Sequence, residues 1–102
     1  MRMARTQIIP LKNIPNQKLA VVLAGQNCVL HIYQRKQSLF LDITCNNTVI
    51  RTGLLCGVNR DIIGSEHTGF SGMLFFSDIS GANQSPSYEQ LGIRFLFCYA
   101  EE

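Results

Sequence analysis

Hydrophobic and polar residues alternate with a period of two in the first half of the chain, as expected for strands with one buried face. Segment 17–24 alternates in this way, and so does segment 26–35. Between them, Gly25-Gln26 is typical of a tight turn. The two segments therefore predict an antiparallel hairpin. The residues expected to face the core are Leu19, Val21, Leu23, Cys28, Leu30 and Ile32.

A second hairpin is predicted by the next apolar segments. Asn46-Asn47 can adopt positive φ and suits a two-residue turn into a strand at 48–55. The run Leu54-Leu55-Cys56 is apolar without alternation and lies between two glycines. Such a run fits either a strand covered on both faces or a strand bent at a glycine. The core-facing residues of the strand before the turn are expected to be Leu39, Leu41, Ile43 and Cys45.

The second half of the chain predicts two further strands with a loop between them. The first covers 72–77, and the last covers 93–99. Segment 80–87 is polar and contains glycine and proline, which is typical of an exposed loop. Segment 88–91 predicts one helical turn that Gly92 closes. The inward face of the last strand is expected to consist of Ile93, Phe95, Phe97 and Tyr99.

These elements predict an all-β fold, either a small β-sandwich or a partly open barrel, with six to eight short antiparallel strands. A chain of 102 residues is long enough for one domain, which we expect to span 1–102. The residues expected to be most deeply buried are Leu30, Ile32, Leu41, Ile43, Leu74 and Phe95.

The composition is poor in charge. Charged residues make up 16% of the chain and hydrophobic residues 46%, whereas about 25% charged is typical of soluble domains. This shortage predicts that some apolar surface is covered by contacts between chains. The net charge is +2 and the nine basic residues are scattered, which disfavours a duplex-binding face. No apolar run reaches the roughly 18 residues of a membrane span, and no signal-peptide core follows residues 1–5.

The cysteines are far apart and form no CxxC pair. Each lies in an apolar, strand-like stretch, which predicts four reduced, buried thiols in a protein made in a reducing cytosol. Two disulfides in a secreted domain are the alternative. The residues concerned are Cys28, Cys45, Cys56 and Cys98.

Residues suited to catalysis or metal binding form no recognisable constellation. His31 lies within a predicted strand, and His67 follows Glu66 in a glycine-flanked turn. A nucleophilic site needs a base beside the nucleophile, and a metal site needs grouped ligands. The sequence therefore predicts neither an enzyme nor a cofactor. The aspartates, of which the last two lie in or beside turns, are Asp42, Asp61 and Asp78.

Two other functions remain open at this point. Tyr33 beside Arg35, and Phe40 near Lys36, could stack bases, which would suit a β-barrel that binds single-stranded nucleic acid. A stand-alone β domain that holds a small ligand is the other alternative.

Several segments recur in a characteristic order and spacing, among them Ile9-Pro10-Leu11, Ala24-Gly25-Gln26-Asn27-Cys28, Leu39-Phe40-Leu41-Asp42-Ile43 and Phe70-Ser71-Gly72-Met73-Leu74-Phe75-Phe76. In this order and spacing they resemble the cyanophage-type baseplate plug domains of contractile-tailed phages. The resemblance extends from about Thr6 to Tyr99 and implies an all-β domain in the central baseplate, between the tail tube and the hub or spike. The implied partners are copies of the chain in a ring and the tail tube and hub or spike proteins. Neither a membrane nor nucleic acid, except the genome in transit, is implied. Such a protein would be made in the host cytoplasm and end in the virion.

The first 15 residues are expected to form an extended arm, because Pro10 and Pro15 disfavour helix and suit an edge or docking segment. Its apolar residues must cover the domain's own sandwich, a neighbouring copy or the hub. Opposite charges at the two termini predict a salt-screened contact between adjacent copies. Deleting residues 1–11 is therefore expected to impair assembly more than folding. The interface candidates are Arg5, Ile8, Ile9, Leu11, Lys12, Ile14, Glu101 and Glu102.

Overall fold

A computed structural model describes residues 5–64 and 70–101 of the chain. These residues form seven strands and one short 3-10 helix, and no helix among them is long and apolar enough to cross a membrane. The strands are β1 (Arg5–Ile9), β2 (Asn16–Leu23), β3 (Gln26–Arg35), β4 (Ser38–Cys45), β5 (Thr48–Leu55), β6 (Met73–Asp78) and β7 (Phe95–Glu101), and the 3-10 helix is Tyr88–Gln90.

The strands build two antiparallel sheets that pack as a sandwich. One sheet has three strands in the order β1-β7-β6, and the other has four in the order β2-β3-β4-β5. The four-stranded sheet consists of sequential neighbours, whereas the three-stranded sheet joins the two ends of the chain. The predicted fold class is confirmed in its sandwich form, since the two sheets do not close into a barrel.

The core lies between the two sheets and follows the predicted alternation. All six residues expected to be most deeply buried are at most 2% exposed. From the three-stranded sheet, Phe76 and Phe97 stack with their ring centroids 4.6 Å apart. Aromatic rings at this separation bury a large apolar area and stabilise the sandwich.

Positive φ angles at two turns allow the short hairpins of the four-stranded sheet. Asn46 and Asn47 have φ of 51° and 65°, as predicted. The first turn consists of Ala24 and Gly25, with φ of 50° and 79°, so it lies one residue earlier than the predicted Gly25-Gln26. The difference arises because Gln26 already pairs with Leu23 as the first residue of β3.

β5 is an edge strand that bends at a glycine. Gly53 has φ of 67°, and the pairing register between β4 and β5 shifts in this region. Leu55 is 48% exposed. Of the two structures predicted for the apolar run that follows Gly53, the bent strand is the correct one. A bulge of this kind also makes an edge strand a poorer template for unwanted pairing.

The predicted N-terminal arm is in part a strand of the domain itself. β1 pairs antiparallel with β7, and Ile9 is 1% exposed within the core. Of the three surfaces that the arm's apolar residues were expected to cover, Ile9 covers the domain's own sandwich, because alternation turns its side chain toward β7's inward-facing aromatic residues. The same pairing places the backbone of Arg5 opposite that of Glu101 within one chain.

The last strand begins two residues later than predicted. Phe95, Phe97 and Tyr99 face the core as expected, but Ile93 precedes β7 and is 59% exposed. The Gly92 N–H donates to the Phe95 carbonyl, so the chain turns at this point before the strand starts. The predicted helical turn is confirmed as the 3-10 helix Tyr88–Gln90.

A buried carboxylate organises the loop after β6. The Asp78 side chain is inaccessible to solvent, and Arg94 donates to both of its oxygens at 2.8 and 2.9 Å. The backbone N–H groups of Ser80 and Gln84 also donate to this carboxylate. The Arg94 guanidinium, followed by the hydrogen bonds of the loop, holds the pKa of Asp78 well below its usual range.

Asp78→Asn is expected to lower the denaturant midpoint at neutral pH, because it removes the charge that Arg94 pairs with. A depressed pKa contributes stability above the unfolded value of about 3.9 and loses it as pH falls toward the folded value. The difference in denaturant midpoint between the parent and Asp78→Asn should therefore become smaller below about pH 4. Denaturant titrations at several pH values measure this difference, and parallel pH curves would contradict the assignment. Asp61→Asn is the control, since Asp61 accepts only longer backbone hydrogen bonds of 3.3 and 3.4 Å.

Candidate assembly surface

The outward side of the three-stranded sheet is apolar, and we call it the outer three-strand face. The pairing of the strands aligns the side chains of this face in rows across the sheet. In one row, Cys98 of the central strand lies between Ile8 of β1 and Phe75 of β6. A second row contains Ala100 with Met73 beside it. The residues of the outer three-strand face are Thr6, Ile8, Met73, Phe75, Ser77, Leu96, Cys98 and Ala100.

This face combines exposed apolar edges with a covered centre. Ile8 is 57% and Met73 40% exposed, while Cys98 and Ala100 on the central strand are buried. The two buried residues stand outside the core cluster, which is consistent with an outward orientation. None of the eight residues carries a charge. Exposed, uncharged faces of this kind are common where proteins contact one another.

A polar rim adjoins the apolar face. Asn59, Arg60 and Asp61 line a shallow cleft together with Met73 and Phe75. The segment that carries these polar residues runs along β6, where the Asn59 N–H donates to the Phe76 carbonyl. An apolar centre with a polar rim is the usual anatomy of a protein–protein interface.

The outward side of the four-stranded sheet is different, because a hydrogen-bonded carboxylate lies at its centre. Asp42 accepts from the Tyr33 hydroxyl at 2.9 Å and from the Gly53 N–H at 2.7 Å, and His31 Nδ1 lies 3.5 Å from its other oxygen. Partial burial opposes ionisation of Asp42, but the Gly53 and Tyr33 hydrogen bonds outweigh it and lower the pKa. His31 Nε2 lies 2.9 Å from Asn16 Oδ1. These contacts hold the side chains of Asp42, Tyr33 and His31 in place on the outward side of the four-stranded sheet.

The interface candidates from the sequence fall into several environments. Ile8 belongs to the outer three-strand face, and Ile14 is 39% exposed. Lys12 is exposed, and its backbone is bonded to the Gln17 side chain. Leu11 is half-buried against the core, and Glu101 is half-buried at the end of β7. Of the two candidates at the ends, Arg5 is the first residue of β1 and Glu102 lies outside the described residues.

The contribution of β6 and β7 to this face was missed from the sequence. Their runs Met73–Phe76 and Phe95–Ala100 are apolar with little alternation. Such runs are typical of strands that are apolar on both faces. The two apolar runs therefore indicate an apolar outward face as well, whereas only the inward-facing residues of these strands were assigned from the sequence.

The candidate catalytic and metal-binding residues are dispersed. In the described part of the chain, no group of three or more histidine, cysteine, aspartate or glutamate residues is close enough to hold a metal ion. His31 lies on a strand, as predicted, and is half-buried there, whereas Glu66 and His67 lie outside the described residues. The burial predicted for all four cysteines is confirmed.

The fold and this surface define a small all-β sandwich protein with one exposed, uncharged sheet face. A comparison with protein families gives the more particular assignment: residues 6–102 match the family described as "Cyanophage baseplate Pam3 plug gp18". The chain belongs to this family of baseplate plugs and is thus a structural protein of the virion's tail baseplate. No match was found among curated proteins.

The nucleic-acid-binding alternative gains no support from this comparison. Tyr33 and Phe40 do stack on the outward side of the four-stranded sheet, with ring centroids 5.9 Å apart, and the Arg35 guanidinium lies 5.8 Å from the Tyr33 ring. However, the Tyr33 hydroxyl is bonded to the Asp42 carboxylate. A negative charge at this position repels a phosphate backbone.

Proposed function

We propose that this baseplate plug acts through the outer three-strand face, which docks against a neighbouring subunit of the same chain in an axial ring. The observation that carries the proposal is the row of uncharged side chains that ends in the exposed Ile8. Burying such side chains contributes about 25 cal/mol for each Å² of apolar surface removed from water. The role is mechanical and requires no reaction.

A closed ring of identical subunits needs two different surfaces that complement each other, because its contacts are head-to-tail. The outer three-strand face supplies one surface. Exposed residues of the segment after β1, Lys12 and Ile14, extend the contact beyond the sheet. The tail tube and the hub or spike are the proposed partners above and below the ring.

Ile8→Asp is expected to leave the domain folded and to abolish its assembly, because a charge would be buried within the contact without a partner. The measurement is solution mass by light scattering, for the protein alone and mixed with tail proteins of the same phage. Circular dichroism melts report on folding separately.

Val49→Asp provides the matched control. Val49 is also a β-branched residue on an edge strand and is 63% exposed, compared with 57% for Ile8, but it belongs to the other sheet. We expect this variant to assemble like the parent. If Ile8→Asp assembled normally, or if both variants failed equally, the outer three-strand face would not be the contact.

A further inference from the structure

Two thiols face each other across the central strands of the four-stranded sheet. Cys28 of β3 is the register partner of Cys45 of β4, and their sulfur atoms lie 2.6 Å apart. Both side chains point inward and are buried, with exposures of 1% and 3%. The two residues are 17 positions apart in sequence, so the sheet register alone brings them together.

The local hydrogen bonding makes this a favourable position for a cross-strand disulfide. The next pair of opposed residues toward the turns is Asn27 and Asn46. It is a hydrogen-bonded pair, because the Asn46 N–H donates to the Asn27 carbonyl at 2.8 Å. In an antiparallel ladder the next pair, Cys28 and Cys45, is then a non-hydrogen-bonded pair with Cα atoms about 4.5 Å apart. Disulfides form between Cα atoms roughly 4.4–6.8 Å apart. The backbone therefore needs no rearrangement to accept the bond.

The pair lies close to the end of the sheet. Two turns flank it, Ala24-Gly25 beside Cys28 and Asn46-Asn47 beside Cys45, and all four turn residues are exposed. Strand ends open locally at a lower free-energy cost than global unfolding. A small oxidant can reach the sulfur atoms through such an opening while the rest of the sandwich stays folded.

We propose that Cys28 and Cys45 are an oxidisable pair that closes to an intramolecular disulfide when the protein meets a hydroperoxide. This proposal is independent of the docking surface. In the reducing cytosol of a host the pair stays as two thiols, and the disulfide forms after release into an oxidising medium.

The reaction balances with one peroxide for each disulfide. One of the two sulfur atoms, as the thiolate, attacks an oxygen of hydrogen peroxide and the O–O bond breaks. A sulfenic acid forms, and the hydroxide that leaves takes up the proton released by the thiol and becomes water. The other sulfur then attacks the sulfenic sulfur and forms the S–S bond, and the sulfenic oxygen leaves with the second thiol's proton as a second water. The two electrons lost by the thiols are taken up by the peroxide.

Burial keeps both thiols protonated in the closed fold. Burial, and then the hydrogen bond to Cys45, raises the pKa of Cys28 to about 12. Burial also raises the pKa of Cys45, and the smaller lowering effect of the hydrogen bond with Cys28 does not outweigh it. Since the thiolate is the reactive species, the local opening that admits the oxidant must also expose a thiol to water before it ionises.

The test is to oxidise the folded protein with hydrogen peroxide and to map the products. Purified under reductant, the protein should show four titratable thiols after unfolding, and after oxidation it should show two. Its intact mass should fall by two hydrogen atoms. Cleavage after lysine and arginine separates the cysteines into four peptides, of which 19–35 and 37–51 should be joined in the absence of reductant. The oxidised form should unfold at a higher denaturant concentration, and reductant should reverse the change.

Two variants serve as matched controls. Cys56→Ala/Cys98→Ala retains the opposed pair and should still form the disulfide, whereas Cys45→Ala should not lose the two hydrogens. Recovery of four free thiols after oxidation would overturn the proposal. So would addition of oxygen without cross-linking, a disulfide to Cys56 or Cys98, or a disulfide between chains. The thiol count, the intact mass and the peptide map are all measured on the parent protein, so they do not depend on whether the variants fold.

Discussion

Leu41→Ala is expected to lower the free energy of unfolding by about 2–5 kcal/mol, the usual effect of removing a large buried aliphatic side chain. Leu41 lies in the middle of β4, a central strand, and is 0% exposed. Its loss leaves a cavity between two sheets that are held by their neighbours and cannot fully collapse. For a small domain this is a large fraction of the total stability. Chemical denaturation measures the effect.

Leu55→Ala tests the same chemical change on the neighbouring strand. Leu55 is 48% exposed on β5, so its truncation removes less buried surface and should cost well under half as much. Equal denaturant midpoints for the parent and Leu41→Ala would contradict the assigned orientation of β4. Equal losses for the two variants would contradict the burial difference between the strands.

Gly72→Ala is the second variant with a large expected effect. Gly72 has φ of 103°, and a methyl group there would meet the ring of Tyr99, which is 1% exposed. The backbone strain costs about 1–2 kcal/mol, and forcing a methyl against a fixed ring costs about 1–3 kcal/mol. We expect a loss of about 2–5 kcal/mol in the free energy of unfolding, measured by denaturant titration.

Gly81→Ala separates the two causes. Gly81 also has positive φ, at 82°, but an added Cβ would meet nothing within 4 Å. Its substitution should therefore show only the strain of about 1–2 kcal/mol. If the two alanine variants were equally stable, contact with Tyr99 would not contribute to the requirement for glycine at position 72.

The close contact at Gly72 is part of a link between the sheets. The Tyr99 hydroxyl donates to the Ser71 carbonyl at 2.5 Å, and the Gln26 side chain bonds both the N–H and the carbonyl of Ser71. β7 of one sheet is thereby joined to the start of β3 of the other. This link restrains sliding of one sheet over the other, a property that suits a rigid plug.

Local sequence was enough to determine most strands and the inward face of each. The alternation around Leu30, Leu41 and Ile43 predicted their burial correctly, because the two-residue period of a strand is a property of neighbouring residues. The turn at Asn46-Asn47 was predictable for a similar reason, since asparagine tolerates positive φ. The resemblance to baseplate plugs likewise rested on the order and spacing of such segments.

Tertiary structure decided which strands became neighbours, and with that the surfaces. Nothing local in Arg5–Ile9 specifies that it pairs with β7 at the other end of the chain, so the sequence left open whether Ile9 covers the domain's own sandwich or another subunit. The apolar outer three-strand face exists only because β1, β6 and β7 meet in one sheet. The pairing of Cys28 with Cys45 likewise depends on the register between β3 and β4. The turn at Lys36 and the burial of the inward faces of both strands select this register together. Long-range pairing depends on the burial of whole faces, and the period of a single strand does not encode its partner.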